Sequence, residues 1–258
     1  MEKLLYLFVC ICLFSCGDTS ENVHKLIPLK SMELQYAKGF KLDYHKGFKH
    51  LFLYNPSDTS RLEYEFILKE KGAIIPDQFK GITLINIPVK KIVCLTLTQL
   101  SYIVELDAVN SLCGVNSSRF LFNEKVKNKI KSGDIKLVGR KGHFKPEILM
   151  AQNPDLIFVS PFKAGGYDAL KDVGMKLIPV YAYNEKHPLA RAEWLKFMAA
   201  FIGKEKMADS LFNGISIKYN SLKKLTATCT NKPIVFSGEC KSGVWYAVGG
   251  ESYLAHYF

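Results

Sequence analysis

The chain has 258 residues, of which 48% are hydrophobic and 23% charged, and this composition predicts a globular protein with a buried core. The formal net charge is +11. The lysines are spread along the whole chain, and there is no arginine-rich tract or basic helix face. The excess positive charge therefore indicates a lysine-rich surface and not a nucleic-acid site.

The first sixteen residues indicate export. After Lys3, residues 4–14 are almost all apolar, which is too short to span a bilayer but typical of a secretory signal. The segment ends Leu-Phe-Ser-Cys and resembles the lipobox of bacterial lipoproteins. It predicts cleavage before Cys16 and lipid on its thiol, placing the protein on a bacterial membrane facing the periplasm or the cell surface. An ordinary signal peptide cut elsewhere, or a buried N-terminal helix, is the alternative.

Four of the seven cysteines remain after the lipidated one: Cys94, Cys113, Cys229 and Cys240. No pair has the CxxC spacing of a zinc or redox site. Cys94 lies in an apolar run and is predicted to be buried. An exported protein permits disulfides, and the sequence leaves open whether Cys229 and Cys240 form one.

Two segments are expected before the main α/β part of the chain. Residues 17–30 are polar and are predicted to be a tether. Residues 31–90 alternate short apolar runs with Gly, Asn, Pro and Asp, which indicates strands and turns. We therefore expect residues 17–90 to be a tether with a small β-rich leader.

Residues 91–187 are predicted to be an α/β lobe. Short continuous apolar runs, typical of buried parallel strands, alternate with helical patterns. The expected strands cover residues 92–95, 112–115, 156–160 and 176–181. Strands and helices that alternate in this way predict βαβ units and a parallel sheet.

Two helices and a new α/β unit are expected to follow. Pro188 and Gly203 bound the first helix, and a longer one reaches about Leu225, so residues 188–228 are predicted to join two lobes. Residues 229–258 are predicted to start a C-terminal lobe, with a strand at 233–237 and a helix from Glu251. We expect this second lobe to be incomplete.

The sequence contains no enzyme motif of the common kinds: no G-x-S-x-G, no P-loop and no G-x-G-x-x-G after a strand. The histidines form no HExxH or paired helical motif, and we predict no metal site and no cofactor. An enzyme on a related two-lobed scaffold is the alternative, as is a receptor for bare zinc or manganese, which would need ligands from each lobe.

Four segments, in order, resemble periplasmic binding proteins for iron–siderophores, haem and cobalamin, especially the lipoprotein versions of Bacteroidetes-like bacteria. The segments are KIVCLTLTQLSYIVELDAVNSLCGV, FKPEILMAQNPDLIFV, HPLARAEWLKFMAAFIGKEKMADSLF and VWYAVGGESYLAHYF. The resemblance implies two α/β lobes joined by a rigid helix, with the ligand between them. It implies a monomeric, non-enzymatic receptor that delivers a metal chelate to an ABC permease. A surface lipoprotein that scavenges ligand without a permease is the alternative.

The ligand is expected at the carboxyl ends of the parallel strands, as in other open α/β sheets. The loops there carry hydroxyl, amide, aromatic and basic side chains that suit a large, partly anionic ligand. Core packing is the alternative for each aromatic residue, and a surface role is the alternative for the arginine and the histidine. The predicted contacts are Thr96, Thr98, Gln99, Arg119, Phe120, His143, Phe144, Phe162 and Tyr183, with Trp245 and Tyr246 from the second lobe.

Two carboxylates are predicted to mark the permease-facing surface. Glu147 follows Pro146, and Glu251 follows two glycines, so both are expected in the first turn of a helix. Complementing the helix dipole is the simpler role for each of them. The resemblance implies that one exposed glutamate on each lobe meets arginines of the permease.

Overall fold

The N-terminal part of the protein is a five-stranded sheet in a computed structural model that describes residues 26–140, 143–161 and 167–258. Its strands are β1 (Lys30–Ser31), β2 (Phe40–His45), β3 (Phe48–Asn55), β4 (Asp58–Glu70) and β5 (Thr83–Ile87). They lie in chain order, antiparallel except for the parallel pair β4–β5. The β-rich leader is therefore present, and Gly47 turns β2 into β3 with a φ of 79°.

A second sheet is entirely parallel and forms the centre of the α/β lobe. Its strands are β6 (Ile92–Cys94), β7 (Leu112–Val115), β8 (Lys136–Leu137), β11 (Leu156–Val159) and β12 (Leu177–Pro179), in the order β12-β11-β6-β7-β8. Between β8 and β11 in the sequence, β9 (Gly139–Arg140) and β10 (His143–Phe144) form a short antiparallel pair. The predicted α/β class is confirmed.

Four short helices follow strands of this lobe: α1 (Leu97–Glu105), α2 (Glu124–Lys131), α3 (Pro146–Gln152) and α4 (Asp168–Asp172). Local sequence explains their starts. Thr96 and Gln99 form a capping box on α1, the side chain of Asn123 accepts from the N–H of Val126 on α2, and Pro146 occupies the first turn of α3.

Two longer helices follow, as predicted. Helix α5 (Pro188–Ile202) ends at Gly203, which has a left-handed φ of 71°, and α6 (Glu205–Ala227) follows it. Twelve of the fifteen α5 residues are buried, whereas the buried residues of α6 are Ala208, Phe212 and Ser216. No helix in the described ranges is long and apolar enough to cross a bilayer.

One hydrophobic core joins the N-terminal sheet to the parallel sheet. Leu42 and Leu51 of the first sheet and Ile92 and Phe158 of the second belong to it. Helix α5 lies between them, with Trp194, Phe197 and Phe201 fully buried. The ring of Trp194 is 5.0 Å from that of Phe40, and the ring of Phe201 is 5.3 Å from that of Phe158. The leader is thus packed into the lobe as part of the same core.

The C-terminal segment differs from the sequence prediction. Residues 233–237 form no strand, and β13 (Gly238–Lys241) pairs antiparallel with β14 (Val244–Ala247). Ser242 and Gly243 both have positive φ, the geometry of a tight two-residue hairpin turn, which favours a hairpin over a parallel strand. The expected helix from Glu251 is also wrong: residue 251 lies in a turn before a four-residue 3-10 helix at Leu254–Tyr257.

Candidate functional site

The loops after β6, β11 and β12 meet at the carboxyl edge of the parallel sheet and enclose a cavity of about 220 Å³. Thr96 and Thr98 contribute from the start of α1, Ser160 follows β11, and Tyr183 follows β12. A second cavity of about 220 Å³ lies between the ends of β6 and β7. The structure therefore brings several predicted ligand contacts to one edge.

Thr96 and Gln99 have a structural duty at this edge. The Thr96 hydroxyl accepts from the Gln99 backbone N–H at 3.3 Å. The Gln99 side-chain oxygen accepts from the N–H groups of Leu95 at 2.9 Å and Thr96 at 3.0 Å. Gln99 is buried, so its carbonyl is committed to holding the start of α1, whereas Thr98 is exposed beside it.

Arg119 and Phe120 present a cationic and aromatic surface at the second cavity. The Arg119 guanidinium carbon is 4.7 Å from the centre of the Phe120 ring. Phe120 is 65% exposed and has a φ of 63°, which is costly for a bulky residue and is seen most often at functional loops. Nearby, the side-chain oxygen of Asn116 is buried with no hydrogen-bond partner in the described part of the chain.

A third cavity, of about 380 Å³, adjoins the first because Thr98, Ala182 and Tyr183 line both. Arg191 of α5 lies in it, with its guanidinium carbon 3.6 Å from the ring centre of Tyr253 and 4.9 Å from that of Tyr183. The Arg191 nitrogens also donate to the carbonyl oxygens of Glu185 and Tyr183, both at 2.9 Å. The guanidinium is thus fixed between two aromatic rings.

Two tyrosines near Arg191, Tyr102 and Tyr257, have a raised pKa and keep their protons. Burial, aided by the hydrogen bond to Tyr253, raises the pKa of Tyr257 to about 12. Burial raises the pKa of Tyr102 further, and its hydroxyl donates to the Arg191 carbonyl oxygen at 2.7 Å. The hydroxyls of Tyr253 and Tyr257 are 2.8 Å apart. This wall therefore offers neutral hydroxyls beside one fixed positive charge.

Arg191 was missed by sequence reasoning. It follows the helix start Pro188 by three residues, and nothing in the local pattern separates it from an ordinary surface arginine. Its aromatic partners lie eight residues before it and in the C-terminal segment.

Other predicted contacts lie elsewhere. The Phe144 ring stacks on Tyr167 at 5.4 Å and packs against the second core cluster. Trp245 stacks on Phe236 at 4.7 Å, and neither Trp245 nor Tyr246 lines the three cavities. His143 has a backbone position in β10, and Phe162 lies outside the described residues.

The two predicted docking carboxylates are both exposed. Glu147 lies in the first turn of α3, as expected. Glu251 lies in a turn and not at a helix start, and its carboxylate is 3.4 Å from the ammonium of Lys186. The helix-dipole role therefore does not apply to Glu251.

Metal-binding and disulfide chemistry are not apparent in the described ranges. There, no three or more His, Cys, Asp and Glu side chains are placed to hold a metal ion. Cys94 and Cys113 are free and buried, and Cys229 and Cys240 are free and exposed. The disulfide that the sequence left open is absent. Cys16 lies outside the described residues.

A parallel sheet with adjoining cavities at its strand ends defines a ligand-binding α/β protein. A family profile described as periplasmic binding protein matches residues 92–258, most of the chain. The chain therefore belongs to the periplasmic binding protein family, whose members are substrate-binding proteins and not enzymes.

Solved structures share the fold. A petrobactin-binding protein of Bacillus subtilis aligns with a TM-score of 0.54 at 15% identity, covering 81% of this chain and 64% of that one. A possible iron-binding (periplasmic solute-binding) protein of Staphylococcus epidermidis aligns with a TM-score of 0.53 at 17% identity, covering 66% of this chain and 64% of that one. At these identities the likeness shows the fold alone.

Two curated relatives are uncharacterized lipoproteins of Methanocaldococcus jannaschii. One is 29% identical in an alignment of 204 positions that covers 74% of this chain and 51% of the relative. The other is 26% identical in an alignment of 254 positions that covers 86% of this chain and 58% of the relative. The chain thus spans little more than half the length of the relatives it matches.

Proposed function

We propose that this protein is the ligand receptor of an ABC importer. The observation that carries the proposal is Arg191, which lies against Tyr183 and Tyr253 in the third cavity. That cavity adjoins the first cavity, at the strand ends. Guanidinium groups bind carboxylates and phosphates through two parallel hydrogen bonds, and aromatic rings bury flat apolar groups. The site suits a ligand with both features.

The ligand class that fits best is a metal chelate: an iron–siderophore, a haem or a cobalamin-type molecule. Each is large and partly anionic with extended flat or aromatic surfaces. Arg119 with Phe120 supplies a second cationic and aromatic contact at the neighbouring cavity. The petrobactin-binding and possible iron-binding neighbours support this class.

The partner would be a membrane permease that meets Glu147 and Glu251. Both carboxylates are exposed, which docking requires. The alternative is a surface lipoprotein of the same fold that scavenges ligand without a permease. Export and a lipid on Cys16 suit both forms, and the two relatives named lipoproteins support them.

Calorimetric titration of the whole protein with ferric siderophores of several types, haemin and cyanocobalamin tests the ligand class. Arg191→Gln and Arg119→Gln should each weaken binding of an anionic chelate by about tenfold, equivalent to about 1.4 kcal/mol. Arg61→Gln, at an exposed position on β4, is the matched control and should change nothing.

Thermal melts of all three variants would show whether a lost affinity reflects a lost fold, since Arg191 also holds two backbone carbonyls. Absence of binding across the panel, or equal affinity in all three variants, would contradict the proposed site.

A further inference from the structure

The N-terminal sheet has a second buried face, opposite the one that packs on α5. Side chains alternate along a strand, so Leu42 and Leu51 face the shared core while Asp43 and His50 face the other side. A cavity of about 550 Å³ lies on that side, within the roughly 300–1,000 Å³ common for small-molecule sites. We name it the outer-face cavity; its walls include Lys41, Asp43, His45, His50, Phe52, Glu65 and Phe79.

His45 places a largely buried imidazole in the wall of this cavity. It is 9% exposed, and its ring stacks on Phe48 at 4.6 Å. Its ring centre is 6.4 Å from that of His50, so the two imidazoles line the same part of the cavity.

Phe52 and Phe79 form the aromatic wall of the outer-face cavity, and this wall already contacts a cation of the protein. The Lys41 ammonium is 5.2 Å from the Phe52 ring centre and 2.6 Å from an oxygen of Asp43. Lys41 and Asp43 cancel in charge. The ring of His50 is 4.0 Å from Phe52 and 5.0 Å from Phe79, and its Nε2 is 2.5 Å from a Glu65 oxygen.

The remaining charge in the cavity is negative. Burial lowers the pKa of both His45 and His50, and their mutual repulsion lowers that of His45 further. Since Lys41 and Asp43 pair with each other, Glu65 is the remaining carboxylate of the cavity, with the His50 ring beside it. A carboxylate beside aromatic faces is the combination that binds organic ammonium groups.

We propose that the outer-face cavity binds a small aromatic amine, with its ammonium at Glu65 and its ring against the aromatic wall. The lining residues all lie between Leu26 and Phe79, outside the family-matched residues 92–258. The outer-face cavity is therefore a site separate from the cavities at the strand ends. It would bind its ligand whether or not a metal chelate is bound there.

Tryptamine and tryptophol test the proposal, because they share an indole ring and differ in ending with an ammonium or a hydroxyl. In calorimetric titration of the whole protein at pH 7.5, tryptamine should bind at least about tenfold more tightly, a gap within the range of ion pairs reinforced by cation–π contacts. Indole-3-propionate, which carries a negative charge, should bind more weakly than either.

Glu65→Gln should reduce tryptamine binding to the tryptophol level, and Phe52→Leu should weaken both ligands. Glu70→Gln removes the same charge from an exposed position on the same strand and should leave both affinities unchanged. Equal binding of the amine and the alcohol to the unmodified protein, or no binding of either, would overturn the proposal. That comparison needs no variant, so a folding defect in Glu65→Gln leaves the test intact.

Discussion

Glu193 Oε2 lies 2.8 Å from the backbone nitrogen of Ala37, which precedes it by 156 residues. The same carboxylate accepts the N–H groups of Gln35 and Tyr36 and pairs with Lys196 at 3.2 Å. Glu185 accepts the next two N–H groups, of Lys38 and Gly39, and the indole N–H of Trp194 at 3.1 Å. Two buried carboxylates, which we call the carboxylate clamp, thus hold the chain entering β2 against the start of α5.

Glu193→Gln should destabilise the fold by about 2–4 kcal/mol, because an amide cannot accept from so many N–H groups and Lys196 loses its buried partner. Urea unfolding followed by circular dichroism measures the change.

Glu105→Gln, at an exposed position at the end of α1, is the control for this experiment and should stay within about 0.5 kcal/mol of the unmodified protein. Equal unfolding midpoints for Glu193→Gln and Glu105→Gln would show that the carboxylate clamp contributes nothing to stability.

Stability should fall as the pH drops below about 6.5. Burial lowers the pKa of His45, His50 and His187 from the usual 6.5, so in this range the unfolded chain takes up protons that the folded chain does not. Each such proton adds a slope of up to about 1.4 kcal/mol per pH unit. Urea midpoints at pH 7.5, 6.5 and 5.5 measure it.

His45→Asn should make that pH slope shallower, because one of the buried rings no longer titrates. His256→Gln, at an exposed position, should change the slope much less. A slope that His45→Asn leaves intact would show that the outer-face cavity does not keep this imidazole neutral.

Charge reversal of Glu147 and Glu251 to Lys should abolish uptake of the ligand. Each exposed ion pair with a permease is weak, roughly 0.2–1 kcal/mol, but two at a fixed spacing also select orientation. Ligand affinity should stay within about twofold, or roughly 0.4 kcal/mol. Growth on the chelate as sole metal source and calorimetry measure the two effects.

The matched control for docking reverses Glu105 and Glu239, two other exposed carboxylates. Glu239 lies 3.7 Å from the ammonium of Lys241, much as Glu251 lies 3.4 Å from that of Lys186. Normal uptake with Lys at 147 and 251 would support the scavenging lipoprotein. A large loss of affinity would instead place these residues at the ligand.

Cys16→Ala should abolish incorporation of a palmitate analogue and release the protein from membranes. The reason is that the lipobox-like segment provides one thiol for diacylation. In-gel detection of the labelled protein, with Cys229→Ala as the control for an exposed thiol, measures this. Labelling that persists without Cys16 would indicate a different mode of attachment.

Sequence reasoning predicted the elements whose signals are local. The buried strands β6, β7, β11 and β12 are short apolar runs, and Gly203 ends α5 where the pattern placed it. The parallel direction of the strands followed from the alternation of strands and helices. In these segments local propensity and tertiary packing favour the same structure.

The rest depends on partners far away in the chain. Arg191 becomes a candidate contact because Tyr253 lies on it, and Glu193 is buried because residues 35–37 surround its carboxylate. Neither partner is visible from neighbouring residues. The strand predicted at residues 233–237 is wrong for a different reason: the Ser242–Gly243 turn sets the pairing with β14, and β13 begins only at Gly238.

The carboxylate clamp also sets an order of events during synthesis. Residues 38 and 39 are made about 147 residues before Glu185, and ribosomes add roughly 5–20 residues per second, so the wait is about seven to thirty seconds. Until then Phe40 and Leu42 have no helix to pack on. The clamp therefore cannot close on residues 35–39 until the start of α5 has been made.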